Sequence, residues 1–330
     1  VVGVVYNRRY DIGFFGLERL HPFDSRKYGR AWSELNRVFG RNLRHHHLTV
    51  DRAVSDKELL LAHSPQYLAR MRGSKDIVAA LEVPALRRVP AWLLRWAVLR
   101  PMRWAVRGTV LAARSALNCG VAINLSGGYH HAKMNAGEGF CIFSDIAVAV
   151  RMLRIEGLIR AGQRVAYVDL DAHQGNGVCH QFLDDRDVFI FDMYNLAIYP
   201  RYDVEARERI DCNLGLPAGC RGDEYLGVLR KHLPGFLDSI SRSGEVALGI
   251  YNAGTDVIRD DPLGGMALTA DEILMRDLVA IGEFQSRGIP VVMLASGGYT
   301  RDSYRLIAAS VCEILLRAGT KPVAVDRNRQ

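Results

Sequence analysis

From about residue 110 onward, short uninterrupted apolar runs alternate with longer segments whose apolar positions recur every three or four residues. The runs at 121–125, 165–170, 188–191, 246–251 and 289–295 are read as buried strands. The spaced segments at 109–117, 145–155, 223–241, 270–287 and 303–316 are read as helices. Residues 1–6 open the chain as a further strand. The stretch 20–39 predicts a turn and then an amphipathic helix with Trp32, Leu35, Val38 and Phe39 toward a core. Ser55, with Glu58 three residues on, forms the capping box of a short helix over 55–61. This alternation predicts an α/β fold with a central, mostly parallel sheet covered by helices on both faces. Without an internal repeat, low-complexity tract or linker, residues 1–330 are expected to form a single domain.

Composition narrows the picture only a little. At 49% hydrophobic residues the chain has an ordinary globular content. No apolar run approaches the roughly 18–20 residues of a membrane span, and the opening residues lack the layout of a signal peptide. Cys119, Cys141, Cys179, Cys212, Cys220 and Cys312 are scattered without a CxxC pair, which points to reduced thiols in a cytoplasmic setting. A net charge of +7 permits an acidic partner without requiring one, and direct nucleic-acid binding is not expected.

One segment is compositionally odd. Between residues 86 and 108, Arg87, Arg88, Arg95, Arg100, Arg103 and Arg107 interleave with Trp92, Trp96 and Trp104. Pro90 and Pro101 are expected to divide it into a loop and two helical pieces. Two readings stand: contact with a membrane surface or acidic partner, or arginine stems packed over tryptophans on a domain surface. His63, with no second ligand-type residue close by, is read as structural.

Chemistry gathers where the strands stop. In an open parallel sheet, ligands bind beyond the carboxyl ends of the strands, and the unusual polar clusters fall there. SGGYHHAK follows 121–125 and brings His130 and His131. DLDAHQGNG carries Asp169, Asp171 and His173 at alternate positions, which share one face of extended backbone. NAGTD follows 246–251 and ends in Asp256, while SGGYT follows 289–295 and holds Tyr299. Read singly, the aspartates cap turns, the histidines belong to a solvated turn, and Tyr299 is a half-buried core residue. Read together, two aspartates and a histidine from two strand ends make a three-ligand site open to water and substrate, as in a catalytic zinc site. Glycines at 127, 128, 254, 297 and 298 would let backbone approach closely.

GGYHHA, the GFC of 139–141, DLDAHQGNG, NAGTD followed by DDPLGG, and SGGY stand in the order and spacing of the zinc-dependent histone deacetylase superfamily. The chain resembles that family over nearly its whole length. It looks closest to the class IV branch, through DLDAHQGNG, FDMYNLAIYP and GLERLHPFD. The resemblance implies the arginase/deacetylase-like form of the fold, with the active site at the C-terminal ends of the strands. It implies zinc bound by Asp171, His173 and Asp256, with His131 as general base and then general acid. Tyr299 would donate to the substrate carbonyl. Asp169 would orient His130 and help hold a structural potassium ion, together with Asp192 and main-chain carbonyls around Asp171, His173 and Met193. Phe140 and Tyr199, with Gly139, Gly297 and Gly298, would line the acyl-lysine tunnel.

Behind His131 many relatives carry aspartate where this chain has Asn176. A neutral partner should leave the imidazole less basic. The implied activity is zinc-dependent hydrolysis of Nε-acyl-lysine amides on proteins or peptides, with long-chain fatty acyl groups at least as plausible as acetyl. A small-molecule amidohydrolase, such as an acetylpolyamine deacetylase, is the alternative enzyme. A non-catalytic zinc-binding module is the alternative of another class. Oligomeric state is not read from the sequence.

Overall fold

The computed structural model describes residues 2–12, 24 and 26–323. Much of the 16–24 segment that carries the class IV likeness, and of the turn expected before the first helix, lies outside the described residues. Eight strands form one all-parallel sheet: β1 (Val2–Val5), β2 (His47–Leu48), β3 (Val121–Asn124), β4 (Arg164–Asp169), β5 (Val188–Asn195), β6 (Cys212–Leu216), β7 (Val246–Asn252) and β8 (Val291–Leu294). Their order is β2-β1-β3-β8-β7-β4-β5-β6. Val165, Ala166, Tyr167 and Val168 of β4 are fully buried, as expected of a strand covered on both faces. Four adjacent central strands, β3, β8, β7 and β4, are the ones whose ends carry the four polar motifs.

The predicted strands are present, with changed limits. β5 runs on to Asn195, past the expected 191. β8 begins only at Val291, because Pro290 has no amide to donate and its carbonyl accepts from Gly249 instead. β2 and β6 were not anticipated. They are the two sheet edges, one only two residues long and the other mostly half-exposed, so neither carries a buried apolar run.

The helix Lys27–Phe39 buries Leu35 and Phe39 and packs Trp32 and Val38 against the core, as its spacing predicts. Ser55 and Glu58 complete the expected capping box, although the helix they start is only Asp56–Leu59. His63 is buried between the rings of Tyr67 and Phe143 and accepts from the Ser144 amide at 2.9 Å, a structural placement.

The expected break at Pro101 does not occur. Helical backbone runs without interruption through residues 91–119, with Pro90 at its entry. A π-helical turn at Arg95–Leu99 precedes Pro101, and this widened turn accommodates the ring and the missing amide. Trp92 and Trp96 are 63% and 51% exposed, whereas Trp104 is buried beneath the Arg9 guanidinium, 4.5 Å from its ring. Among the described residues no helix is long and apolar enough to cross a membrane.

One buried cation ties the site-bearing loops together. Arg276, in the helix Ala270–Ser286, is fully buried and pairs with Asp277. Its guanidinium also donates to the Leu170 carbonyl at 3.0 Å and the Gly254 carbonyl at 2.6 Å, on the loops that carry Asp171 and Asp256. Tyr251 and Ser310 donate to the same Asp277 carboxylate. Arg276→Met should leave the Asp277 charge uncompensated, strip the Gly254 carbonyl of its guanidinium donor and leave the Leu170 carbonyl with the Tyr225 hydroxyl alone. It is expected to lower the free energy of unfolding by about 3–5 kcal/mol. A lower denaturant midpoint at unchanged slope would register that loss.

Candidate active site

β4 ends at Asp169, one residue short of the expected 170, and Asp171 and His173 lie in the turn that follows rather than on the extended backbone that would put them on one face with Asp169. The turn curls because each amide bonds to the carboxylate two residues earlier: Asp171 N to Asp169 Oδ1 at 3.1 Å, and His173 N to Asp171 Oδ1 at 3.0 Å. The curl separates the three side chains into two sets. Asp169 Oδ2 meets His130 Nδ1 at 2.8 Å, while Asp171 and His173 turn toward Asp256 from the end of β7.

Asp171, His173 and Asp256 form a buried cluster whose ligand atoms all lie within 4.8 Å of one another. His173 Nδ1 is 3.1 Å from Asp171 Oδ1 and 3.0 Å from Asp256 Oδ2. A tetrahedral zinc site, with bonds near 2.0–2.2 Å, has ligand edges of about 3.3–3.5 Å. The two His173 edges fall a few tenths of an ångström short of that, so two oxygens and one nitrogen can hold such an ion after a small adjustment. The remaining oxygens are occupied: Ala172 N donates to Asp256 Oδ1, and Ser296 Oγ and Gly297 N donate to Asp171 Oδ2. Such bonds fix ligand orientation. A methyl on Gly297 would come within 2.5 Å of both Asp171 and Asp256, and one on Gly254 would overlap Asp171, so these two expected glycines are required by close approach.

Electrostatics agree with a cation-binding centre. Burial alone lowers the basicity of His173, but Asp171 and Asp256 outweigh it and push the imidazole up to about 10. Burial and the neighbouring Asp171 raise Asp256 to about 7. His130 follows His173: burial opposes its charge, yet Asp169 and Asp171 push it up to about 9. His131 moves the other way, well below the usual histidine range, through burial first and then the adjacent His130 and His173.

His131 and Tyr299 flank the cluster on two sides, each ring centroid 6.0 Å from that of His173. Asn176 Oδ1 accepts from His131 Nδ1 at 2.8 Å in the tautomer that protonates that nitrogen. Burial first, with Asp256 and Asp171, raises the Tyr299 phenol well above its ordinary value and so keeps it a donor. Tyr199 sits 5.1 Å from the His131 ring, and Phe140 5.8 Å from the Tyr299 ring. Phe140 takes a left-handed backbone conformation, φ 65°, and follows Gly139, where a Cβ would strike His131. Gly298 is likewise left-handed, at φ 127°.

Asp192 faces Asp169 in the β4–β5 register, with Met193 next to it in β5. Both carboxylates are fully buried, and Asp192 Oδ1 has no hydrogen-bond partner among the described residues. An unpaired carboxylate oxygen beside a second carboxylate fits a site for a monovalent cation.

Several supports were not read from the sequence. Asn252, beside Asp169 in register, donates to its Oδ1 at 3.0 Å. Asp145 accepts from the Gly128 and Tyr129 amides and so holds the turn leading to the paired histidines. Asp261, inside the DDPLGG motif, accepts from the Tyr299 amide at 2.8 Å. Buried Lys27 donates to the Ser296 and Gly297 carbonyls, both at 2.7 Å. A signal existed for two of the charged groups. Lys27 lies on the stripe of Ala31, Leu35 and Phe39, and Arg276 on the stripe of Ile273, Ala280 and Phe284; a charge on an apolar face marks a buried partner.

Beside His130, Gly139 and Tyr299 opens a partly enclosed cavity. Its apolar lining includes Leu81, Val83, Leu86, Leu94, Val98 and Met102.

Comparison with known proteins gives this arrangement its family. The histone deacetylase domain matches residues 21–315. "Histone deacetylase 2" of Arabidopsis thaliana is 41% identical over 318 residues, which cover 96% of this chain and 79% of that protein. An uncharacterised protein of Picosynechococcus is 36% identical over 252 residues, covering 76% of this chain and 77% of the relative. Among solved structures, a histone deacetylase homologue complexed with SAHA shares the fold at a TM-score of 0.70 and 23% identity, covering 95% of this chain and 83% of that one. With the matched domain spanning most of its length, the chain belongs to the histone deacetylase family of zinc-dependent hydrolases.

Proposed function

We propose that the protein hydrolyses Nε-acyl-lysine amides on proteins or peptides at the Asp171–His173–Asp256 cluster. The observation that carries this reading is the placement of His131 and Tyr299 on two sides of that cluster, beside the aromatic rings of Tyr199 and Phe140. A zinc ion held by the cluster supplies Lewis acidity to the acyl carbonyl and to a water molecule.

The chain's own groups do the rest. With Nδ1 donating to Asn176, His131 keeps Nε2 bare to take the proton of the attacking water, and later returns it to the departing lysine amine. The Tyr299 hydroxyl donates to the carbonyl oxygen as negative charge builds there. Asp169 orients His130 beside the base through the 2.8 Å contact at Nδ1. Phe140 and Tyr199 flank the lysine methylenes, with Gly139, Gly297 and Gly298 giving the backbone room. Asp169 and Asp192, with carbonyls around Asp171, His173 and Met193, hold a potassium ion; the unpaired Asp192 oxygen supports this assignment. Asn176 behind the base, with the motifs named above, supports the class IV branch.

The apolar cavity beside the catalytic groups supports a long acyl chain, since each buried methylene contributes about 0.8 kcal/mol. In a matched series from acetyl to myristoyl peptides, turnover should rise with length. Met102→Trp, which fills the cavity, should abolish that rise while sparing acetyl-lysine. A flat series, or a preference for an acylated polyamine, would move the reading to a short-chain or small-molecule amidohydrolase.

Asp256→Asn should lower the zinc content measured by elemental analysis, and hydrolysis with it. In the wild-type protein a chelator should remove activity and zinc restore it. Tyr299→Phe should keep its zinc and lose on the order of 10²–10³ in kcat. Wild-type turnover by that variant in a single-turnover assay would remove the tyrosine from its role.

A further inference from the structure

Asn176, unlike a carboxylate, has two different faces, and only one of them suits a base. If its Oδ1 faces His131, the imidazole must carry its proton on Nδ1 and keep Nε2 bare. If the amide is turned over, its NH2 faces Nδ1, the proton moves to Nε2, and the nitrogen needed for catalysis is blocked. Something must therefore fix the amide.

The structure holds a cluster suited to that task on the far side of Asn176. Asp203 Oδ2 lies 3.1 Å from Asn176 Nδ2, and Glu138 Oε2 lies 3.4 Å from it. Two acceptors beside one nitrogen leave no place there for the amide oxygen. Asp203 is itself locked: Lys133 Nζ reaches its Oδ2 at 3.1 Å, His180 Nε2 lies 3.0 Å from both oxygens, and the Ala206 amide donates to Oδ1 at 3.3 Å. Burial raises the Asp203 carboxyl, but its bonds to Asn176, His180 and Lys133 outweigh that and hold it well below the ordinary range. Glu138 is tied to the same lysine at 3.1 Å and accepts from the Tyr199 hydroxyl at 2.7 Å.

We infer that Asp203 is a positioning residue for the base. It holds the Asn176 amide with its oxygen toward His131, so setting the imidazole tautomer and supplying, one residue removed, the negative charge that Asn176 lacks. Glu138 assists and links the same network to the tunnel wall through Tyr199. This inference rests on the proposed role of His131 and deepens it.

Asp203→Asn is the informative variant. Asparagine keeps the helix cap by turning its one oxygen to the Ala206 amide, and it then presents an NH2 group to the Asn176–Lys133 side. In zinc-loaded protein carrying 15N-histidine, the ring nitrogen shifts of His131, assigned by their loss in His131→Ala, report the tautomer without any need for turnover. The variant should show the Nε2-protonated form, and kcat should fall about tenfold to a hundredfold with KM and zinc content little changed. Moving the carboxylate inward, in the double variant Asp203→Asn with Asn176→Asp, should restore the Nδ1-protonated form and most of kcat.

An Asp203→Asn protein with the wild-type tautomer and kcat would overturn the inference, as would a double variant no better than the single one. A fall in kcat that merely tracks lost zinc would reassign Asp203 to structure and also overturn it. If wild-type protein shows no acyl-lysine hydrolysis at all, the proposed function fails, while the nitrogen shifts still decide the positioning role.

Discussion

Asp169, Asp171, Asp192 and Asp256 are all withdrawn from water at the carboxyl end of one sheet. Two like charges about 4 Å apart repel by about 4 kcal/mol at an effective dielectric of about 20, so such a cluster persists only if positive charge and donors are built around it. Much of the polar architecture can be read as that compensation. Backbone amides curl onto Asp169 and Asp171, Asn252 reaches Asp169, and His130 and His173 take up charge from their acidic neighbours. The same negative field that threatens the fold is what would draw a divalent cation to Asp171 and Asp256, displacing the proton from His173, and a monovalent one to Asp192.

Compensation also does geometric work. Arg276 could offset Asp277 from many positions, but its bonds to Leu170 and Gly254 brace two chain segments that are far apart in sequence and adjacent in space. Lys27 acts likewise from the opposite side, gathering the carbonyls ahead of Tyr299. The positions of Asp171 and Asp256 thus depend on buried charges some distance from them.

The motifs that carry chemistry were legible because they punctuate strand ends with residues of unusual type, and because a central parallel strand announces itself as an apolar run. What escaped reading obeys other rules. β2 and β6 are edges, where pairing needs no apolar run. The 91–119 helix continues through Pro101 because a widened turn absorbs the ring, a remedy that local propensity does not reveal. Asp203 and Glu138 lie 27 and 38 residues from Asn176, and their importance arises only when the chain folds them against one amide. Arg276 and Lys27 could have been suspected from their positions on apolar stripes, but not their partners.

The sheet order divides the molecule into two poles. The polar motifs crowd the carboxyl ends of β3, β8, β7 and β4, while the turns that enter those strands lie at the other end, residues 157–163 about 20 Å away across six-residue β4 and residues 286–290 about 13 Å away across four-residue β8. Gly157, Gly162 and Gly288 sit there with nothing near the place a side chain would occupy. Sequence drift and length variation at that pole meet only the modest penalties of turn geometry. At the opposite pole, glycines such as 254 and 297 leave no room for a single carbon, so divergence among descendants of this chain should accumulate on one side of the molecule and stall on the other.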